Sequence, residues 1–457
     1  MKCIKIYRIV LAMYIIHQGT VAGQTANTTA EVLTSYIRMG LDNNLALKGK
    51  QFDLERSRLA LREARSYYLP SITLLGDYSA ATGGRKIQLP LGDLLNPVYG
   101  SLNQLTASND FSMIANQEVA FLQPRLQDSR IQLTVPLLNG EIKHQNGIQK
   151  EAVTAKQAEL SAFKRELIRD IRVAYYTCQQ AEKLVLIYKN AESLIKENLR
   201  VTDVLLKNNI GIKSNILSVR TELLKNTSHL IEAENKRKAA IAYLNFLLNR
   251  PLDEVVTVNT EASTVINELD FPEHTSYTKR DELVQLNSMI RESMLFIKKE
   301  RSTGMPQLGA FLNSGIQGSS FHSNNSNGYL VGGIQLKWTL FNGSRTSIKV
   351  QQAVNSLQMM QTKLSEATTM FQVENITKDL ELRTAVAKVN GSASSLELSK
   401  ELYRETQLRY RQGQALAIEL LDAFTHLLND QISLEIDQTN VKIKQAELER
   451  STAAYNL

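Results

Sequence analysis

The sequence predicts a mainly α-helical chain with a minority of β-strand, laid out as two copies of one plan. Three observations predict it. Residues 334–343 read I-Q-L-K-W-T-L-F-N-G and residues 131–140 read I-Q-L-T-V-P-L-L-N-G, so Ile, Gln, Leu, Leu, Asn and Gly recur at matching places. No proline lies between Pro136 and Pro251 and none follows Pro306; because proline breaks helix interiors, two long stretches are free to be helical. Ala, Glu, Lys, Leu, Gln and Arg fill those stretches, and these are the strong helix formers.

Residues 1–23 read as a secretory signal peptide, with Lys2 and Lys5, the apolar run Ile9 to Ile16, and Val21 and Gly23 ahead of cleavage at Gln24. Cys3 precedes the apolar run, so it is not the lipidated cysteine that ends a lipoprotein signal. Cys178 is then the lone cysteine of the mature chain and has no intramolecular disulfide partner. After residue 24 no apolar run is long enough for a membrane-spanning helix, so any crossing would be by strands. The formal charge is +7, but Lys and Arg alternate with Asp and Glu along helical segments. That pattern fits solvated helix faces and gives no reason to expect nucleic acid as a partner.

The first repeat covers residues 24–249. Helical composition over Glu31 to Tyr67 stops at Leu69-Pro70, and a strand over 69–80 alternates Ile72, Leu74, Gly76 and Tyr78 with Ser71, Thr73, Leu75 and Asp77. A long loop, 81–128, follows; within it Leu89 to Tyr99 is either a short apolar helix or a surface loop with buried anchors. The strand 129–138 puts Ile131, Leu133 and Val135 on one face and Gln132 and Thr134 on the other. A long helical hairpin, 141–249, then turns at Asn209 in Lys-Asn-Asn-Ile, the outward helix being roughly 100 Å at 1.5 Å per residue.

Residues 250–279 form a linker. The second repeat, 280–457, restarts with a helix, then a strand over 306–317, a short turn-rich loop over 318–328, and a strand over 329–341 that puts Ile334, Leu336 and Trp338 on one face. Its helical hairpin, 344–457, turns at Gly413 in Tyr-Arg-Gln-Gly. The returning helices carry seven-residue apolar repeats: Ile216, Leu223 and Leu230 beside Leu217, Leu224 and Ile231, then Leu420, Leu427, Leu434, Val441 and Leu448. Such repeats predict left-handed coiled-coil packing.

No catalytic, cofactor or metal site is indicated. The six histidines, His17, His144, His229, His274, His322 and His426, lack ligand spacing, and Gly332-Gly333 lies inside a strand pattern, not in a phosphate-binding loop. No G-x-S-x-G elbow is present.

The duplicated plan, the signal peptide, Leu-Pro before the first strand, I-Q-L-x-x-x-L-x-N-G after the second, and Tyr410-x-x-Gly413 followed by Glu419-Leu-Leu-Asp-Ala423 together resemble the TolC-type outer-membrane efflux proteins. The resemblance spans essentially the whole mature chain. It implies a homotrimer in which four strands per chain close one 12-stranded β-barrel among outer-membrane lipids, continuous with an α-barrel in the periplasm. It implies a periplasmic adaptor and a proton-driven inner-membrane transporter as partners, in a Gram-negative-type bacterium. The two turns would form the tip that meets the adaptor, at Asn209, Ile210 and Gly211 and at Tyr410, Gly413 and Gln414. Glu419 and Asp422, six and nine residues past the second turn, would supply acidic rings at the pore constriction. An arginine and an aspartate that lock the closed tip of the prototype correspond here to Ala415 and Asn215, so that lock is absent.

The residues themselves agree with the resemblance. Four lone strands leave open edges that a bilayer does not tolerate, so closure needs other copies; apolar strand faces suit lipid and polar ones a watery lumen. The exit duct of a type I protein secretion system would share the architecture. A secreted structural coiled-coil protein would explain the heptads but not the duplicated strands.

Overall fold

A computed structural model describes residues 24–259, 277–319 and 327–455. The expected signal peptide lies outside the described residues, as do 260–276 of the linker and 320–326 of the second loop. In chain order the elements are α1 (Gln24–Asn43), α2 (Leu45–Ser66), β1 (Ser71–Ala80), β2 (Lys86–Leu89), α3 (Leu91–Thr106), β3 (Gln117–Ala120), β4 (Arg125–Leu138), α4 (Gly140–Lys207), α5 (Lys213–Leu248), α6 (Asp281–Ser302), β5 (Gln307–Gly318), β6 (Gly328–Lys337), α7 (Arg345–Arg411) and α8 (Ala417–Ser451). They divide between two compact units. One comprises Ala60–Gln149 and Ser293–Asn355; the other comprises the residues up to Leu59, Lys150–Glu292 and those from Ser356 onward.

The first unit holds an antiparallel sheet of order β1-β4-β5-β6. Its register sorts most of the side chains by chemistry, because directly opposed residues share a face, with Leu75, Phe311 and Val331 among the apolar members of the otherwise polar side. Ile72 pairs with Leu133 and Leu133 with Leu312, Leu74 with Ile131, Val135 with Ala310, Ala310 with Ile334, and Leu308 with Leu336. The other face carries Thr73, Gln132 and Asn313 in one row and Asp77, Asp128 and Gln317 in another. On that face Arg130 bonds Asp128 and lies 3.4 Å from Asp77, and Tyr329 donates to Asp128 at 2.8 Å. The apolar face is uncovered: Ile72 is 74% exposed and Leu74 77%. Within the described sheet β1 and β6 are edge strands, each paired on one side only.

The strand ends depart from expectation for local reasons. β6 stops at Lys337 instead of running to 341, because its partner β5 begins at Gln307 and the preceding Pro306 has no N–H for the ladder. Trp338 is therefore not a strand residue; its indole N–H donates to the Gly304 carbonyl at 3.1 Å and pins the exit of β6 to the turn before β5. β4 begins at Arg125, four residues earlier than expected, since β1 keeps pairing as far as Ala80. The Gly332-Gly333 pair makes room for β5 side chains on both faces: a Cβ at Gly332 would stand 3.1 Å from Leu312 and one at Gly333 3.1 Å from the Phe311 ring.

The two Asn-Gly dipeptides do different work. Asn139 accepts from the backbone N–H of Glu141 at 2.9 Å and of Ile142 at 3.3 Å, so it N-caps α4. In the second repeat Gly343 and Ser344 both take positive φ, and Asn342 donates to Thr346 at 2.8 Å instead.

The other unit is mainly helical. The single helix expected over Glu31 to Tyr67 breaks at Asn44, which caps α2 through Leu47 N–H at 2.9 Å and donates to Leu247 O at 2.9 Å. Around that break Tyr36, Leu47, Leu167, Ile171, Tyr175, Leu244 and Leu248 form one core. A second core joins α7 and α8 through Leu382, Val386, Val441 and Leu448. In α8 the heptad leucines pack inward, with Leu420 and Leu427 buried and Leu434 half-buried. In α5 the two parallel stripes separate: Ile216 is buried and Leu223 half-buried, whereas Leu217, Leu224 and Ile231 are exposed.

Candidate functional site at the hairpin turns

Both hairpins of the helical unit close with the same hydrogen-bond pattern. At the end of α4 the N–H of Ile210 reaches Leu205 O at 2.9 Å and that of Asn209 reaches Leu206 O at 3.0 Å. At the end of α7 the N–H of Gln414 reaches Arg409 O at 2.8 Å and that of Gly413 reaches Tyr410 O at 3.0 Å. Paired six-to-one and five-to-two bonds define the Schellman motif, which satisfies the last carbonyls of a helix and needs one residue with positive φ. Asn209 supplies it with φ 62° and Gly413 with φ 73°. Asparagine tolerates this conformation and glycine adopts it freely.

The two turns touch. A Cβ at Gly413 would stand 3.1 Å from Ile210 Cγ2. Behind them all four long helices contribute to one core: Ala191 and Ile195 from α4, Val219 from α5, Leu396, Tyr403 and Tyr410 from α7, and Leu420, Phe424 and Leu427 from α8. Gly211 continues the first turn, its N–H on Leu205 O at 3.2 Å, while Gln414 is exposed.

Within this core α4 and α7 are joined by polar side chains. The Tyr410 and Thr202 hydroxyls lie 2.9 Å apart, and Thr202 donates to Asn198 O at 2.7 Å. Asn198 Nδ2 donates to the Tyr403 hydroxyl at 3.2 Å, as does Gln407 Nε2 at 3.1 Å. Burial pushes the Tyr403 phenol above its ordinary pKa, against the opposing hydrogen bond from Asn198. Sequence reading found Tyr410 and missed Tyr403, Asn198 and Thr202; the signal for Tyr403 was its place seven residues before Tyr410. At the surface Glu197 is held below the usual carboxylate range by its hydrogen bonds from Arg200.

Glu419 and Asp422 are exposed on α8, on the side away from the buried Leu420, Ala423, Phe424 and Leu427. Their i, i+3 spacing puts both carboxylates on one helix face. Asp422 lies 3.6 Å from His426 Nε2, a neighbour that sequence reading left unassigned. The residues at the same distances past Asn209 are Asn215 and Ser218, so the acidic pair belongs to the second hairpin alone. Asn215 N–H bonds Ile212 O at 3.1 Å, and Ala415 packs against the tip core.

Residues 295–454 match the family model described as outer membrane efflux protein. No curated protein matches the chain. Among solved structures, the outer-membrane channel OprN is similar at TM-score 0.76 and 14% identity, over 93% of this chain and 90% of that one. The CmeC outer membrane channel of Campylobacter jejuni is similar at TM-score 0.75 and 14% identity, over 92% and 85% of the two chains. The open state of the MtrE outer membrane channel of Neisseria gonorrhoeae is similar at TM-score 0.70 and 15% identity, over 92% and 88%. Residues 295–454 thus match the outer membrane efflux protein model, in a chain that has the fold of these outer-membrane channels over more than nine-tenths of its length.

Proposed function

We propose that the chain is the outer-membrane exit channel of a tripartite efflux pump, passing small molecules from an inner-membrane transporter and a periplasmic adaptor to the outside. The observation that carries this reading is the four-stranded sheet with one apolar face, one polar face and two open edges. In lipid every backbone polar group needs an internal partner, so a sheet that enters a bilayer must close into a barrel. Three copies, joining the β1 edge of one to the β6 edge of the next, would close 12 strands with Ile72, Leu74, Ile131 and Ile334 toward lipid and Asp77, Asp128, Arg130 and Gln132 toward water. The homotrimer sits in the outer membrane of a Gram-negative-type bacterium, after removal of residues 1–23 and without a lipid on Cys3. Residues 250–279 link its two repeats.

The chain performs no chemistry in this role. Its helical hairpins form the periplasmic duct, and the touching turns at Asn209, Ile210, Gly211, Tyr410, Gly413 and Gln414 receive the adaptor. The transporter beyond it is proton-driven. Glu419 and Asp422 stack as acidic rings where the duct is narrowest, attracting cations. Purified protein in planar bilayers is expected to give cation-selective pores. Replacing Glu419 and Asp422 together by alanine should raise conductance and weaken selectivity; an unchanged pore removes these residues from the constriction, and no pore at all overturns the channel.

A further inference from the structure

The loop between β1 and β4 is a folded element in its own right. β2 and β3 pair from Lys86–Ala120 to Leu89–Gln117, and α3 lies between them in sequence. Asparagine side chains hold α3 to the strap that follows it. Asn96 donates to Ile114 O at 2.9 Å and accepts from Ile114 N–H at 2.9 Å; Asn103 does the same for Phe111 at 2.9 and 3.1 Å. Asn116 accepts from Asp93 N–H at 3.1 Å and donates to the Asp93 carboxylate at 3.0 Å. Gly92 lets the strap approach, since a Cβ there would stand 2.5 Å from Ile114 O. One side of α3 is thus fixed in place by the loop itself.

The other side is apolar and uncovered. Leu91, Leu94, Val98 and Leu105 fall within one arc at 100° per residue, and all are exposed, Leu105 at 83% and Leu94 at 69%. A helix built to lie on lipid headgroups carries Lys or Arg on its polar side, the more so against phosphate-rich lipid. α3 has neither, and the loop's only two cations are engaged within it: Lys86 on Glu118 at 2.9 Å, Arg85 over the Phe121 ring at 5.9 Å. The charge pattern therefore selects protein over a membrane surface as the occupant. The loop also springs from the end of β1, and β1 is an edge strand. It is rooted beside the edge that a second copy must pair with.

We infer that the apolar face of α3 docks against the 81–124 loop of a neighbouring copy of this chain, so that the loops form a closed ring of identical contacts around the barrel mouth. A head-to-tail contact repeated by a rotation closes such a ring without leaving a free face. This rests on the closure of the barrel by further copies proposed above. Photo-crosslinking in intact outer membranes tests it, with benzoylphenylalanine placed at Leu105 or Val98, both exposed, and in parallel at Ser79 on β1. From Leu105 and Val98 a product of twice the chain mass is expected, its adduct mapping to 81–124 of another copy and falling at least tenfold when Leu94 is also changed to Glu. Adducts to lipid, adducts to a different protein, or no adduct from α3 while Ser79 still joins two copies would overturn the docking and leave the trimeric barrel standing. Absence of both products would overturn barrel closure as well.

Discussion

Cys178 is buried among the Tyr36, Ile171 and Tyr175 core, and burial alone pushes its thiol up to about 12. Since the thiolate is the reactive form, folded protein at pH 7.5 is expected to resist maleimide until denaturant is added, as followed by mass spectrometry. Glu282 shows the opposite balance. Burial would raise its pKa, but hydrogen bonds from Arg280 at 3.0 Å and the Arg450 guanidinium at 2.8 Å outweigh it and hold the carboxyl down at about 2. A depressed carboxylate stabilises the fold above its unfolded value of about 4.3 and loses that contribution as pH falls through the folded one. Glu282→Gln should therefore lower stability by about 2 kcal/mol at neutral pH, with the gap to wild type closing between about pH 4 and 2; a gap that persists at pH 2 would assign its origin to packing. The sequence marked Cys178 as the lone cysteine of the mature chain but not as a buried one, and it did not mark Glu282, because burial and arginine neighbours brought from distant helices leave no local pattern.

The turns show how much an element owes to one backbone angle. Gly413→Ala places a Cβ on a residue with φ 73°, 3.1 Å from Ile210, and should cost about 1–2 kcal/mol in chemical denaturation. Asn209→Gly should be neutral or gain a few tenths of a kcal/mol, since asparagine already accepts this conformation. Leu420→Ala, 2% exposed in the tip core, should cost about 2–5 kcal/mol. These elements were largely legible in the sequence. Proline-free runs, a glycine or asparagine at each turn and the α8 heptad predicted two hairpins in the places where they occur. What periodicity could not supply was capping by a side chain held from afar. Asn44 breaks a helix because Leu247 O anchors it, and Asn139 caps α4 where the matching Asn342 does not. Trp338 fits the alternation of β6 and lies outside it, because strand length is set by the partner, and β5 has none to offer beyond Gln307.

At the scale of the whole molecule, the proposed barrel fixes which side of the membrane each loop faces. A thiol at Asn109, exposed in the 81–124 loop, should be labelled by a membrane-impermeant maleimide on intact cells; labelling only after the outer membrane is permeabilised would invert the proposed topology. The sequence announced this loop by its length and offered a short apolar helix over Leu89 to Tyr99 as one of two readings, which α3 realises over Leu91–Thr106; the ties from Asn96, Asn103 and Asn116 that hold it show only as scattered polar letters. The nested turns have a mechanical meaning as well. Ile210 fills the space that the missing Cβ of Gly413 leaves, and Val219, Tyr403, Leu420 and Phe424 interlock directly behind. One hairpin of a chain cannot swing alone without prising that wedge from its notch and wetting the core. The smallest body able to move cheaply at this end is thus the pair of hairpins together, a double leaf that each copy would bring to any opening.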